Sequence, residues 1–243
     1  MIRYAESAPP PDLSAVVEAE WRVEGIPGER VRILADACTD LIALGPGARE
    51  ILFNGPMAVA DITELQVPVT FGLRFRPGIL AEVVPSLRLS EMRDKEVIVA
   101  NPIAASSEID GLRAFARHLI ATDRLKTNPV VDAILEMLAD RPDSRTLMVA
   151  MAAAPASERT IQRFFLEFVG LTPQQTVGVI RQNNVGRALR TRIGGLAELA
   201  NAHGYADQSH LTRDFTRLAG LPPGRYAREV AFDGFVQDDV RDA

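Results

Sequence analysis

The C-terminal part of this chain repeats itself. At an offset of fifty residues, Ile161-Gln-Arg-Phe-Phe-Leu-Glu-Phe-Val-Gly-Leu-Thr-Pro173 falls on Leu211-Thr-Arg-Asp-Phe-Thr-Arg-Leu-Ala-Gly-Leu-Pro-Pro223. Arg163 meets Arg213, Phe165 meets Phe215, Gly170 meets Gly220, Leu171 meets Leu221 and Pro173 meets Pro223, and upstream Ala150 meets Ala200. Self-similarity at a fixed offset means two copies of one supersecondary unit. Each copy reads as a short helix, a tight turn and a second helix opened by a capping residue, Ser157 or Asp207. A Gly then stops the helix and a Pro blocks its continuation. Two helix-turn-helix units are therefore expected. Between them Val177, Ile180, Asn184 and Ala188 recur at helical spacing and predict a linker helix from Pro173 to about Thr191, with Gly178 and Gly186 counting against it.

The second helix of each copy has one face that must be buried and one that is free. Ile161, Phe165 and Phe168 recur at i, i+4 and i+7, which leaves Arg159, Gln162 and Arg163 on the opposite side. In the other copy Leu211, Phe215 and Leu218 point inward. Gln208, Ser209, Thr212 and Arg213 then face outward, with Arg217 one turn on and His210 placed to reach a phosphate. Arg and Gln pair bidentately with guanine and adenine edges, so these positions are the candidate DNA contacts.

Charge is distributed to suit that reading although the chain is acidic overall, at −5. Residues 1–140 hold 14 Lys and Arg against 21 Asp and Glu, whereas residues 141–230 hold 12 Arg and no Lys against 7 acids. The tail 231–243 is acidic again. Guanidinium groups suit phosphate and base edges better than ammonium groups do.

Upstream, short apolar or β-branched runs alternate with Gly/Pro turns. The runs begin at Val31, Asp40, Glu50, Leu65 and Gly72, and the turns fall at Gly45-Pro-Gly47, Asn54-Gly-Pro56 and Pro77-Gly78. A β-rich domain of meander, sandwich or barrel type is expected. Ser107–Thr122 and the Val131, Ile134, Leu135, Leu138 spacing predict two amphipathic helices after it. The fold class is α+β: a β-rich domain over 1–125, an all-α domain with both motifs over 126–230, and the tail 231–243.

At the residues quoted, the chain resembles the AraC family of bacterial regulators. The second copy is the nearer match, through Gly195-Leu-Ala-Glu-Leu-Ala and Gly204-Tyr-Ala-Asp-Gln-Ser-His210 to Gly220-Leu-Pro-Pro223. The resemblance implies recognition helices in successive major grooves and carries Arg159, Gln162, Arg163, Gln208, Ser209, Thr212 and Arg213 as contacts. Ala152-Ala-Ala-Pro155 and Val185-Gly186 depart from the family pattern. The N-terminal part is similar to an uncharacterised β-rich domain found before such motifs, through Trp21, Asp36-Ala-Cys-Thr-Asp40-Leu-Ile and Gly72-Leu-Arg-Phe-Arg-Pro-Gly78. Membership implies a sensing or dimerising role.

The reading is a DNA-binding transcription regulator without catalytic activity or cofactor, in the cytoplasm, since no apolar leader or membrane-length run is present. Candidate partners are double-stranded DNA, a second copy of the chain, a small-molecule effector and RNA polymerase. Arg74 and Arg76 share a strand face and are the candidate anion-binding pair, against an ion-pair reading. Cys38 supports an alternative, a DNA-alkylation or redox responder, against the plainer reading of a small buried side chain. A third reading gives the β domain dimerisation alone. Three His and one Cys provide no metal-ligand spacing.

Overall fold

The computed structural model describes residues 2–84, 88–103, 105–190 and 194–232. In chain order the strands are β1 (Arg3–Ser7), β2 (Val17–Glu24), β3 (Arg30–Ile33), β4 (Asp40–Leu44), β5 (Glu50–Asn54), β6 (Asp61–Glu64), β7 (Val69–Phe75), β8 (Leu80–Ala81) and β9 (Glu96–Ala100). Helix α1 (Glu108–Ala121) and β10 (Leu125–Lys126) follow. The rest is helical: α2 (Pro129–Asp140), α3 (Ser144–Ala153), α4 (Glu158–Phe168), α5 (Pro173–Arg190), α6 (Leu196–Ala202), α7 (Gln208–Ala219) and α8 (Pro223–Phe232). The expected acidic tail lies, from residue 233 on, outside the described residues.

Six strands form one antiparallel sheet in the order β1-β2-β7-β4-β5-β9, and two ladders, β3-β6 and β8-β10, complete the domain. Alternation decides what each face of the sheet meets. Leu41, Ile51, Phe53, Leu73 and Phe75 share a core with Leu112, Phe115, Ala116 and Leu119 of α1. Arg113 of α1 holds Glu20 of β2 with two hydrogen bonds of 2.7 Å, a bidentate pair that fixes the helix on the sheet. A smaller core of Ile2, Val23, Val31 and Leu65, lined by Tyr4 and Trp21, forms where the β3-β6 ladder covers the other face.

The strand expected from Leu65 is not one. Leu65 and Pro68 bond back to the 25–29 loop, through Gly28 N to Leu65 O at 2.8 Å and Gly25 N to Pro68 O at 3.0 Å, so β7 begins only at Val69. Strand β6 gave no signal because all four of its residues are exposed and only its register with β3 makes it a strand. Leu125 and Lys126 pair with Ala81 and Leu80, so β10 belongs with the sheet domain.

The helical part has two cores. Val131, Ile134, Leu138, Leu147, Ala150, Ile161, Phe165 and Val177 form the first, which also takes in Ala35, Ala37 and Met57 of the β-rich part. Val185, Leu199, Ala200, Leu211, Phe215 and Tyr226 form the second, with Leu34. Helix α5 runs between them despite its two glycines. At Gly186 the helix packs closely on the β-rich part, since a Cβ at that position would lie 2.7 Å from Leu34 Cδ1.

Candidate nucleic-acid interface

The caps expected for the two copies are present. Ser157 Oγ accepts from Thr160 N at 3.2 Å and opens α4, and Asp207 Oδ1 accepts from His210 N at 2.7 Å and opens α7. Gly170 (φ 76°) and Gly220 (φ 75°) end these helices in the left-handed region, where a Cβ is strained. Pro173 and Pro223 then start α5 and α8.

The copies make their internal turns differently. Copy two uses Gly204 at φ 74°, whereas its counterpart Ala154 has φ −72° and ψ 143°, the extended conformation imposed by the following Pro155. The unusual Ala152-Ala-Ala-Pro155 sequence thus closes the turn by another route.

On α4, Ile161 and Phe165 are buried and Phe168 is half-buried, while Arg159, Gln162 and Arg163 are exposed together. Gln162 Nε2 donates to Glu158 Oε1 at 3.3 Å, and the Arg163 guanidinium lies 5.4 Å from the Phe164 ring centre. On α7, Leu211, Phe215 and Leu218 are buried, Gln208, Ser209, Arg213 and Arg217 are exposed and Thr212 is half-buried. His210 is half-buried: its Nδ1 accepts from Ala206 N at 3.4 Å and its ring stands edge-on to Tyr205 at 5.3 Å. That geometry gives it a part in the turn.

A network not anticipated from the sequence ties α7 to the linker. Arg181 of α5 pairs with Asp214 at 3.3 Å, donates to Gly204 O at 3.3 Å and covers the Tyr205 ring at 4.5 Å. Asp214 also pairs with Arg217. The signal was available, since Asp214 lies three residues after Leu211 and four before Leu218, inside the apolar stripe, where an acid requires a partner. Burial raises the Tyr205 phenol, with Asp214 adding to it.

The candidate ligand residues do not converge. Arg74 lies among three carboxylates, with Glu6 and Asp36 at 3.4 Å and Asp40 at 3.3 Å, so its charge is committed inside the domain. Arg76 lies beyond the end of β7, is exposed, and donates from Nε to Ser14 O at 3.0 Å. The ion-pair reading is the one this arrangement supports. Cys38 is buried with its thiol donating to Glu18 at 3.4 Å. Burial, then Glu18 and Asp36, push that thiol well above its ordinary range, the opposite of what a reactive thiolate needs.

Among known protein families, residues 151–229 match a helix-turn-helix domain and residues 5–98 match a Domain of unknown function (DUF6597). A protein of Streptomyces lividans named as an AraC-like transcription regulator is 34% identical over 103 residues, 42% of this chain and 34% of that protein. The helical part is an AraC-type helix-turn-helix domain. The HTH-type transcriptional regulator MtrA of Neisseria gonorrhoeae is 28% identical over 97 residues, 40% of this chain and 32% of that protein. The chain thus spans about a third of the length of the curated relatives it matches. A crystal structure of an apo ToxT variant from Vibrio cholerae aligns with 87% of this chain and 97% of its own at 10% identity and a TM-score of 0.50, a likeness of fold from the β-rich part through the AraC-type domain. Among the described residues no helix is long and apolar enough to cross a membrane.

Proposed function

We propose that the chain is a sequence-specific DNA-binding transcription regulator of the AraC type, without catalytic activity, working in the cytoplasm. The observation that carries the reading is the pair of outward faces, Arg159, Gln162 and Arg163 on α4 and Gln208, Ser209, Thr212 and Arg213 on α7, mounted on one continuous helix α5. Contacts of this kind read base edges, and Arg217 at the rim reaches phosphate. The division of labour runs at about residue 125: the β-rich domain takes the regulatory signal, a small-molecule effector among the candidates, and pairs two copies, and the helical domain binds double-stranded DNA and presents itself to RNA polymerase. The Cys38 alternative is not favoured, because the thiol is buried against a carboxylate.

Selection of bound duplexes from a random pool by the full chain tests the reading. The expected result is a binding site whose two informative centres lie about 10–10.5 base pairs apart, one turn of the duplex. No enrichment of any sequence, from protein that is folded, would overturn it.

A further inference from the structure

The residues that carry the resemblance to the uncharacterised domain are scattered in sequence and meet in one place. Trp21 of β2 lies flat against Gly72 of β7, its register partner, where even a Cβ would collide with the indole. Its Nε1 donates to Asp40 Oδ1 at 2.6 Å, and Asp40 and Asp36 both face Arg74. Asp36 and Asp40 bracket residues 36–40, and Asp36 Oδ1 accepts from Cys38 N at 3.2 Å, closing that segment into a turn. The charged and titratable groups facing Asp36 are Arg74 from β7, Asp40 from β4, Glu18 from β2 and the Cys38 thiol, with Tyr4 and Glu6 of β1 on the far side of Arg74.

The same segment has a second side. Leu34 enters the core of the second helix-turn-helix copy, and Ala35 and Ala37 enter the core of the first, so consecutive residues around Asp36 reach both copies and α5 between them. Asp36 O accepts from Met57 N at 2.9 Å, and Met57 joins the first core. Arg32, just before, donates to Ala219 O at 3.1 Å and pairs with Glu229 of α8 at 3.1 Å. Ala60 N donates to Leu218 O at 2.7 Å. On the helix side the fit includes an uncompensated group: Gln182, one turn before Gly186, is fully buried with no hydrogen-bond partner for either amide atom. A buried amide without partners favours opening to water.

We propose that residues 33–40 form a two-sided strap through which ionisation of the Asp36–Asp40–Arg74 cluster inside the β-rich domain controls how tightly that domain docks on α5 and both DNA-reading motifs. This deepens the regulatory reading above and rests on it for its effect on DNA. Three carboxylates share one guanidinium, so a proton on Asp36 removes the repulsion from Asp40 and Glu18 and leaves Asp40 and Glu6 paired with Arg74. Loss of that proton puts a second negative charge under the strap, and the charge is relieved when the strap lifts into water. Burial is the main cause that pushes the Asp36 carboxyl up to about 7; Arg74 opposes it, Asp40 adds to it, Cys38 N–H opposes it and Glu18 adds again. The docked form thus binds the proton more tightly than an opened, hydrated form with an ordinary carboxylate. Docking is therefore strongest at low pH, weakens by at most about tenfold per pH unit as pH rises toward 7, and levels off above it.

Hydrogen exchange of the full chain without DNA, at pH 5.5 and 7.5 with times scaled to the intrinsic rates, reads this directly. Peptides covering 33–40 and 176–186 are expected to lose protection together at the higher pH, by at most about thirtyfold. In Asp36→Asn the two should exchange alike at both pH values. Asp40→Asn, whose Oδ1 still accepts from Trp21, provides the second variant: it should move the midpoint to lower pH. An Asp36→Asn chain that keeps the native pH dependence would overturn the proposal, as would an unmoved midpoint in Asp40→Asn or protection changes in 33–40 that leave 176–186 untouched. Because no DNA is present, these outcomes are separate from success or failure of the DNA-binding reading.

Discussion

The first helix-turn-helix copy and the second share their buried positions and differ across their surfaces. Ile161 and Leu211, Phe165 and Phe215, and Ala150 and Ala200 fill equivalent places, and each copy caps its second helix with a side-chain oxygen and ends it on a left-handed glycine. The recognition faces match only at Arg163 and Arg213; Glu158, Arg159 and Gln162 of one face Gln208, Ser209 and Thr212 of the other. The supporting helices diverge too. Helix α3 exposes Met148 and Val149, whereas α6 exposes Glu198 and Asn201. Packing density and backbone strain leave few choices for interior and capping residues, while a surface position answers to whatever it touches. Two copies with one interior can therefore read two different sequences.

If the interiors are equivalent, Phe165→Ala and Phe215→Ala should each destabilise the chain by about 3–5 kcal/mol, since both rings are fully buried. Urea unfolding of each variant tests this, and a loss confined to one copy would break the equivalence. The terminal glycines sharpen the contrast. Gly170→Ala and Gly220→Ala both carry about 1–2 kcal/mol of left-handed strain. Gly170→Ala should cost more in the same assay, because its Cβ would lie 2.5 Å from Pro56 Cγ and 3.0 Å from Leu89 O, whereas a Cβ at Gly220 would make only an ordinary contact of 3.5 Å with Arg32 Nη1.

The outward faces provide the next comparison. Arg163→Ala and Arg213→Ala should each relax base preference by about 1–3 kcal/mol, at positions one helical turn apart. Binding measured across single-base changes of the selected site checks it, and loss at the same base pairs in both variants would refute the assignment of one groove to each copy. The smallest effect is expected at Arg217, which is exposed and pairs with Asp214. Arg217→Ala should weaken all sequences about equally and lower the slope of log affinity against log salt by about one.

Some elements were legible because a single side of the chain decides them. The spacing of Ile161 and Phe165, the Ser157 and Asp207 caps, and the Gly-then-Pro stops are local rules, and α4, α5 and α7 followed from them. Asp214 was legible in principle as a charge within an apolar stripe, but its partner Arg181 is thirty-three residues away and no local rule selects it. Strand β6 and the start of β7 were not legible, because their status is set by residues 25–33, which are distant in the sequence. The surroundings of the candidate pair Arg74 and Arg76 were hidden for a related reason. Alternation places two residues on one strand face, but β7 ends between them, and the carboxylates that neutralise Arg74 come from β1, β4 and the 36–38 turn.

By itself the sequence determined the repeat, the helical periodicities, the caps and the outward Arg and Gln faces, all products of interactions between residues a turn or two apart. Only the tertiary structure decided that Trp21, Asp36, Asp40, Gly72 and Arg74 meet inside the β-rich domain, and that Leu34, Ala35 and Ala37 on the other side of the same segment fill the cores of both motifs. Burial of charge and apolar surface depends on what the folded chain brings against a residue, and for these residues the partners lie tens to more than a hundred positions away.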